Sequence, residues 1–140
     1  MEPHEESRKS LTPILGPMLL TFLIQRVILH FFSHPNFHVF VGGVRVHHLF
    51  TGALLQIASA FLLAFGSRGR RLVLAALGVG SAMVLDEIVY LVFTDGSNEA
   101  YRGPVSFWGA AALMTVAAGF LVTLHARAKR RTLSRVASPD

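Results

Sequence analysis

Four long apolar segments, separated by short polar ones, dominate the hydropathy pattern of the chain. They occupy residues 11–32, 47–66, 72–93 and 107–126. Within them, apolar residues follow one another without the alternation that is typical of a half-buried β-strand. Each segment has close to the ~20 residues that an α-helix needs to cross the hydrocarbon core of a bilayer. The pattern therefore predicts an all-α integral membrane protein, built as a compact antiparallel bundle of four transmembrane helices.

The basic residues between these segments predict the orientation of the bundle, because cytoplasmic segments carry an excess of Lys and Arg. We expect a cytoplasmic N-terminal tail at 1–10, a transmembrane domain at 11–126 and a basic cytoplasmic tail at 127–140. The loops 33–46 and 94–106 then face outward, and the plasma or inner membrane is the expected location. Ten of the 13 basic residues fall on the cytoplasmic side: Arg8, Lys9, Arg68, Arg70, Arg71, Arg127, Lys129, Arg130, Arg131 and Arg135.

Composition alone would suggest a different partner. A net charge of +5 and a pI near 10.8 are typical of proteins that bind nucleic acid. However, apolar types make up 52% of the chain and charged residues only 15%, and membrane orientation already accounts for most of the basic residues. We therefore expect membrane lipids and no nucleic acid as partners, with a homo-oligomer or a partner subunit left open. The chain has no cysteine, which excludes disulfides and thiolate ligands.

Ionisable residues within and beside the apolar segments gather at one predicted depth. Because such residues are costly in a bilayer, they are candidates for function. His34 belongs to the loop above them, Tyr90 follows the carboxylates by one helical turn, and Tyr101 lies in an outer loop that we interpret as a solvated turn able to cover the site. The residues of this outer layer are Arg26, His30, His47, His48, Asp86 and Glu87.

Imidazole and carboxylate groups in one layer suggest a metal centre. They suit Zn²⁺, Fe²⁺ or Mn²⁺, and three protein ligands with one open position form a catalytic site. Haem held by a pair of histidines is an alternative. The candidate ligands are His30, His47, His48, Asp86 and Glu87; the candidate catalytic residues are Glu87, Asp86 and Arg26, with His34, Tyr90 and Tyr101 as accessory residues.

These residues favour a metal-dependent membrane enzyme of the hydrolase type, acting on a lipid-linked or amphipathic substrate. One carboxylate would bind the metal, the other would act as general base on a metal-activated water, and Arg26 would hold an anionic group of the substrate. A proton- or ion-coupled transporter is a second hypothesis, because ionisable groups inside spans also mark ion pathways. A non-catalytic subunit of a larger complex, with Arg26 in a purely structural ion pair, is a third.

Overall fold

A computed structural model describes residues 11–31, 39–42, 44–66 and 69–137. Almost all of this part of the chain is helical, as the apolar pattern predicts. One short hairpin interrupts the helices. The elements of the described part, in chain order, are α1 (Thr12–Phe31), β1 (Val39–Val41), β2 (Val44–Val46), α2 (His48–Ala64), α3 (Arg70–Phe93), α4 (Asn98–Arg102) and α5 (Pro104–Ala137).

Three of the helices are long and apolar enough to cross a membrane, namely α1, α3 and the Pro104–Arg131 part of α5. Helix α2 is also apolar but has only 17 residues. At 1.5 Å per residue it is ~26 Å long, which is somewhat less than the ~30 Å of a bilayer core. Three of the four predicted spans are therefore confirmed by length and composition, and the crossing by α2 stays a prediction. The helices are consistent with an integral membrane protein.

Two segments differ from what the sequence pattern predicts. The described residues of the predicted loop 33–46 form an antiparallel hairpin, in which Val39 pairs with Val46 and Val41 with Val44. Valine is favoured in strands, and the connecting turn uses Gly42 at φ +58°. At the other end of the chain, α5 continues past the predicted boundary at 126 to Ala137, because the Ala, Leu, Lys and Arg residues of the tail are strong helix formers.

Helix α3 is at the centre of the fold and packs against α1, α2 and α5. The backbones approach closely where α3 carries glycine. A Cβ atom at Gly78 would collide with the carbonyl oxygen of Ile14 in α1, and one at Gly80 would lie 2.7 Å from the carbonyl oxygen of Gly52 in α2. Such close approach is how helices associate in lipid, where hydrophobic burial between them contributes little.

The interior of the bundle is small, and polar side chains occupy a large part of it. Its apolar cluster consists of Met18, Ala82 and Met114. Large apolar side chains such as Leu54 and Leu72 are instead exposed, as expected of a surface that faces lipid. The buried polar and charged side chains of the described part are Arg26, Ser59, Asp86, Glu87 and Ser106.

Candidate functional site

A buried ion pair joins α1 to α3. Arg26 is 8% exposed and Asp86 is fully buried, and the guanidinium Nε donates to Asp86 Oδ1 at 2.7 Å. The Nη2 atom of Arg26 also reaches α5, where it donates to the carbonyl oxygen and the hydroxyl of Ser106 at 3.2 and 3.3 Å. Because a charge in an apolar interior is tolerated only when it is paired and hydrogen-bonded, this contact connects three helices at one level.

Tyr101, in the short helix α4, contacts both members of this ion pair. Its hydroxyl donates to Asp86 Oδ2 at 2.5 Å, and its carbonyl oxygen accepts from Arg26 Nη1 at 3.5 Å. The guanidinium carbon also lies 5.4 Å from the centre of the Tyr101 ring and 5.7 Å from those of Phe22 and Phe107. Burial, and then the charge of Asp86, raises the pKa of the Tyr101 hydroxyl, which therefore remains a donor.

Glu87, the next residue along α3, binds the first turn of α2 instead. Its carboxylate is almost completely buried, at 3% exposure. Oε2 accepts from the backbone N–H of Leu49 at 2.6 Å, and Oε1 lies 2.5 Å from Nδ1 of His47. His47 precedes α2 and its side chain does not cap the helix. A carboxylate from α3 therefore satisfies a backbone donor that would otherwise be unpaired, at the helix end where negative charge is favoured.

His48 lies between the two carboxylates. Its Nδ1 is 3.2 Å from Glu87 Oε2, and its Nε2 is 3.3 Å from the Tyr101 hydroxyl and 3.6 Å from Asp86 Oδ2. The last distance is too long for a hydrogen bond, so the contact with Asp86 passes through Tyr101. The ring thus connects the Arg26–Asp86 pair to the Glu87–His47 pair.

Tyr90 forms the apolar wall of the site and is fully buried. Its ring centre lies 4.7 Å from that of Tyr101 and 6.3 Å from that of His47. Its hydroxyl donates to the carbonyl oxygen of Gly96, which follows α3. Tyr90 therefore positions the rings around the carboxylates and anchors the segment that leads to α4.

The structure brings together most of the residues that the sequence singles out. One exception is His30, which is exposed, packs edge-on against Phe31 and lines a groove with Arg26 and Arg102. His34 lies outside the described residues. The interpretation of 94–106 as a solvated turn does not hold for Tyr101, which is half-buried on α4 and bonded to Asp86. The residues brought together are Arg26, His47, His48, Asp86, Glu87, Tyr90 and Tyr101.

Two groups that contribute hydrogen bonds to the site are not among the residues predicted from the sequence. Ser106 holds Arg26 with both its carbonyl and its hydroxyl oxygen. A serine immediately before the fourth apolar segment is a visible signal, but it is not ionisable and therefore does not stand out as the charged residues do. The backbone N–H of Leu49 could not have been found from side-chain chemistry, because its role follows from its place in the first turn of α2.

Within residues 11–31, 39–42, 44–66 and 69–137, no group of three or more His, Asp or Glu side chains is arranged to hold a metal ion. Of the predicted metal ligands, His47, His48, Asp86 and Glu87 contact one another, Arg26 or Tyr101, whereas His30 lies apart from them. No protein-family model, curated protein or solved structure matches the chain. The geometry of this site is therefore the basis on which a function can be inferred.

Proposed function

We propose that the protein is a small membrane enzyme of the hydrolase type, in which Glu87 and His47 form an acid–base pair. One observation carries the proposal. Nδ1 of His47 is bonded to the buried Glu87 carboxylate, while the His47 side chain stays 21% exposed and its Nε2 has no hydrogen-bond partner among the described residues. A histidine oriented by a carboxylate through one nitrogen and open at the other is the arrangement of a general base.

The chemistry follows from that arrangement. Nε2 of His47 takes a proton from a water molecule while the water oxygen attacks the carbonyl carbon or the phosphorus of an ester. The imidazolium is stabilised by Glu87, and it returns the proton to the oxygen of the leaving group as the ester bond breaks. A lipid-linked or other amphipathic ester is the substrate class that this location favours, because the site lies at one end of apolar helices.

Arg26 and Asp86 have a positioning role in this proposal. All three guanidinium nitrogens of Arg26 already donate hydrogen bonds, and both carboxylate oxygens of Asp86 accept one. They hold α1, α3 and α5 at one level, and through Tyr101 they fix the ring of His48. The two adjacent carboxylates therefore have different roles in this proposal: Asp86 positions the helices, and Glu87 orients His47. The sequence alone could not assign these roles.

A divalent cation, Zn²⁺, Fe²⁺ or Mn²⁺, is the second part of the proposal. Histidines that bind metals commonly donate their other ring nitrogen to a carboxylate, and Glu87 lies against Nδ1 of both His47 and His48. In this route Nε2 of His47 would bind the cation in place of taking the proton, and the cation would activate the attacking water. Haem is the alternative cofactor, which an absorption spectrum of the purified protein tests directly.

The proposed membrane topology has four spans, both termini in the cytoplasm and the site near the outer leaflet of the plasma or inner membrane. It is supported by the basic residues at the cytoplasmic ends of the predicted spans. It is also supported by helix direction. Arg26 late in α1 contacts Asp86 late in α3, and Leu49 at the start of α2 contacts Glu87, so α1 and α3 run together and α2 runs against them.

The test is hydrolysis of a 4-nitrophenyl ester with a long acyl chain by the purified protein in mixed micelles. Glu87→Gln and His47→Gln should each lower the rate by ~10²–10⁴-fold, the usual contribution of a general base. His125→Gln is the matched control, because His125 lies ~28 Å along α5 from Ser106 and should leave the rate unchanged. Parent-like rates in both site variants would rule out the acid–base pair.

Metal analysis of the same samples separates the two parts of the proposal. If a cation takes part, elemental analysis finds it in the parent protein, His47→Gln loses it, and a chelator abolishes hydrolysis. If hydrolysis survives chelation and no metal is found, the Glu87–His47 pair acts alone.

A further inference from the structure

A groove of about 620 Å³ lies between α1 and the α4–α5 segment, and Arg26 lines it whereas His47 and His48 do not. Leu23, Val27 and Phe107 line its apolar part, and all three are exposed. His30 in the last turn of α1 and Arg102 in the last turn of α4 line it as well. One groove therefore combines an apolar surface with basic side chains at the end of a predicted span.

The charge of this groove is not balanced within the described part of the chain. Arg26 is paired with Asp86, but Arg102 is exposed and forms no ion pair or hydrogen bond with another described residue. No Asp or Glu is among the residues that line the groove. The described residues therefore give the groove a net positive charge through Arg102.

We propose that this groove binds an anionic phospholipid. The lipid phosphate lies against Arg102 and His30, and an acyl chain follows Leu23, Val27 and Phe107 along α1 and α5. The volume is in the range of pockets that bury a drug-sized ligand, so the groove accommodates the headgroup and part of an acyl chain rather than the whole lipid. Basic residues at the ends of membrane spans attract anionic headgroups, and here the charge and the apolar surface belong to the same groove. The proposal does not depend on Glu87 and His47 being catalytic.

The protein carries its own probe for this lipid. Trp108 is the single tryptophan of the chain, is 68% exposed, and its ring centre lies 5.1 Å from that of Phe107 in the groove. Lipids with brominated acyl chains quench tryptophan fluorescence only when they are in contact with it. Quenching of Trp108 therefore reports which lipid occupies the neighbourhood of the groove.

The experiment reconstitutes the full chain into phosphatidylcholine vesicles with a fixed fraction of brominated lipid, either phosphatidylglycerol or phosphatidylcholine. An effect of ~1 kcal/mol per basic residue near anionic lipid corresponds to a preference of about fivefold for the anionic lipid. The parent protein should show this preference, and Arg102→Gln should lose it while Arg102→Lys keeps it. Arg127→Gln, in the second half of α5 and far along the helix from Pro104, should behave as the parent.

Three results would overturn the proposal. The first is equal quenching of the parent by both lipids, and the second is a preference that persists in Arg102→Gln. The third is a preference that is removed equally by Arg127→Gln or by inorganic phosphate at constant ionic strength, since this would indicate general surface charge or a site for a soluble anion. Circular dichroism of each variant checks that the helices are intact, and Arg102→Lys excludes a merely structural loss.

Discussion

Helix α3 contacts its neighbours in two different ways at two levels. Gly78 and Gly80 have no side chains, so the backbones of α1 and α2 pack directly against the backbone of α3. Two turns further on, Asp86 and Glu87 make the contact through charge and hydrogen bonds to the same two helices. A single helix thus uses close packing at one level and polar bonds at the next.

The comparison shows what each kind of contact contributes. Packing of small residues brings helices together without selecting a chemical partner, since any backbone of the right shape fits. Bonds to buried charges select the partner, because a wrong partner leaves the charge unpaired. The polar level therefore determines which faces of α1 and α2 meet α3, and at this level Nε2 of His47 has no hydrogen-bond partner among the described residues.

The largest expected effect is at the polar level. Asp86→Leu leaves the buried guanidinium of Arg26 without its counter-charge, and it should lower the free energy of unfolding by about 3–5 kcal/mol. The double variant Arg26→Leu/Asp86→Leu removes both charges and should recover most of the loss. Reversible unfolding in mixed detergent micelles measures both. Equal losses in the single and double variants would show that the unpaired charge is not what destabilises the protein.

A smaller effect is expected at the packing level. Gly78→Ala places a methyl group against the carbonyl oxygen of Ile14, and overpacking of this kind costs ~1–3 kcal/mol. The control is Gly119→Ala in α5, because a Cβ atom there meets no atom within 4 Å outside its chain neighbours and the backbone of its own helix. It should be neutral or stabilising by up to ~1 kcal/mol, since alanine is the better helix former. Similar losses in both variants would mean that close approach at Gly78 contributes nothing.

Some features of the fold and the site could be predicted from the sequence, and others could not. The apolar segments, and the gathering of Arg26, His48 and Asp86, follow from helix length and rise per residue, which are properties of each helix alone. The position of His30 does not, because residues four apart differ by ~40° around a helix. Near the end of α1 this offset is enough to turn His30 toward the groove and away from the carboxylates.

Contacts that depend on backbone groups were beyond prediction for another reason. The N–H of Leu49 is free to donate to Glu87 only because α2 begins at His48. Helix ends are known from sequence only to within a few residues. The role of Tyr101 likewise depends on α4, a five-residue helix within a segment that has no clear apolar period.

The smallest effect is expected at an exposed carboxylate. It serves to compare a hydrogen bond that is in contact with solvent with the buried hydrogen bonds of Glu87. Asp95 Oδ1 accepts from the N–H of Ser97 at 2.9 Å in an exposed segment, and this backbone bond, followed by the one to the Ser97 hydroxyl, lowers the pKa of Asp95 below 3.8. Its contribution to stability is therefore present above that value and is lost as the pH falls through the lowered pKa. The free energy of unfolding of Asp95→Asn should be only slightly lower than that of the parent at neutral pH, and the difference should vanish in acid. Unfolding of both proteins is measured from neutral to acidic pH. A loss at neutral pH as large as that of Glu87→Ala would contradict the comparison, because solvent should make the exposed bond the weaker of the two.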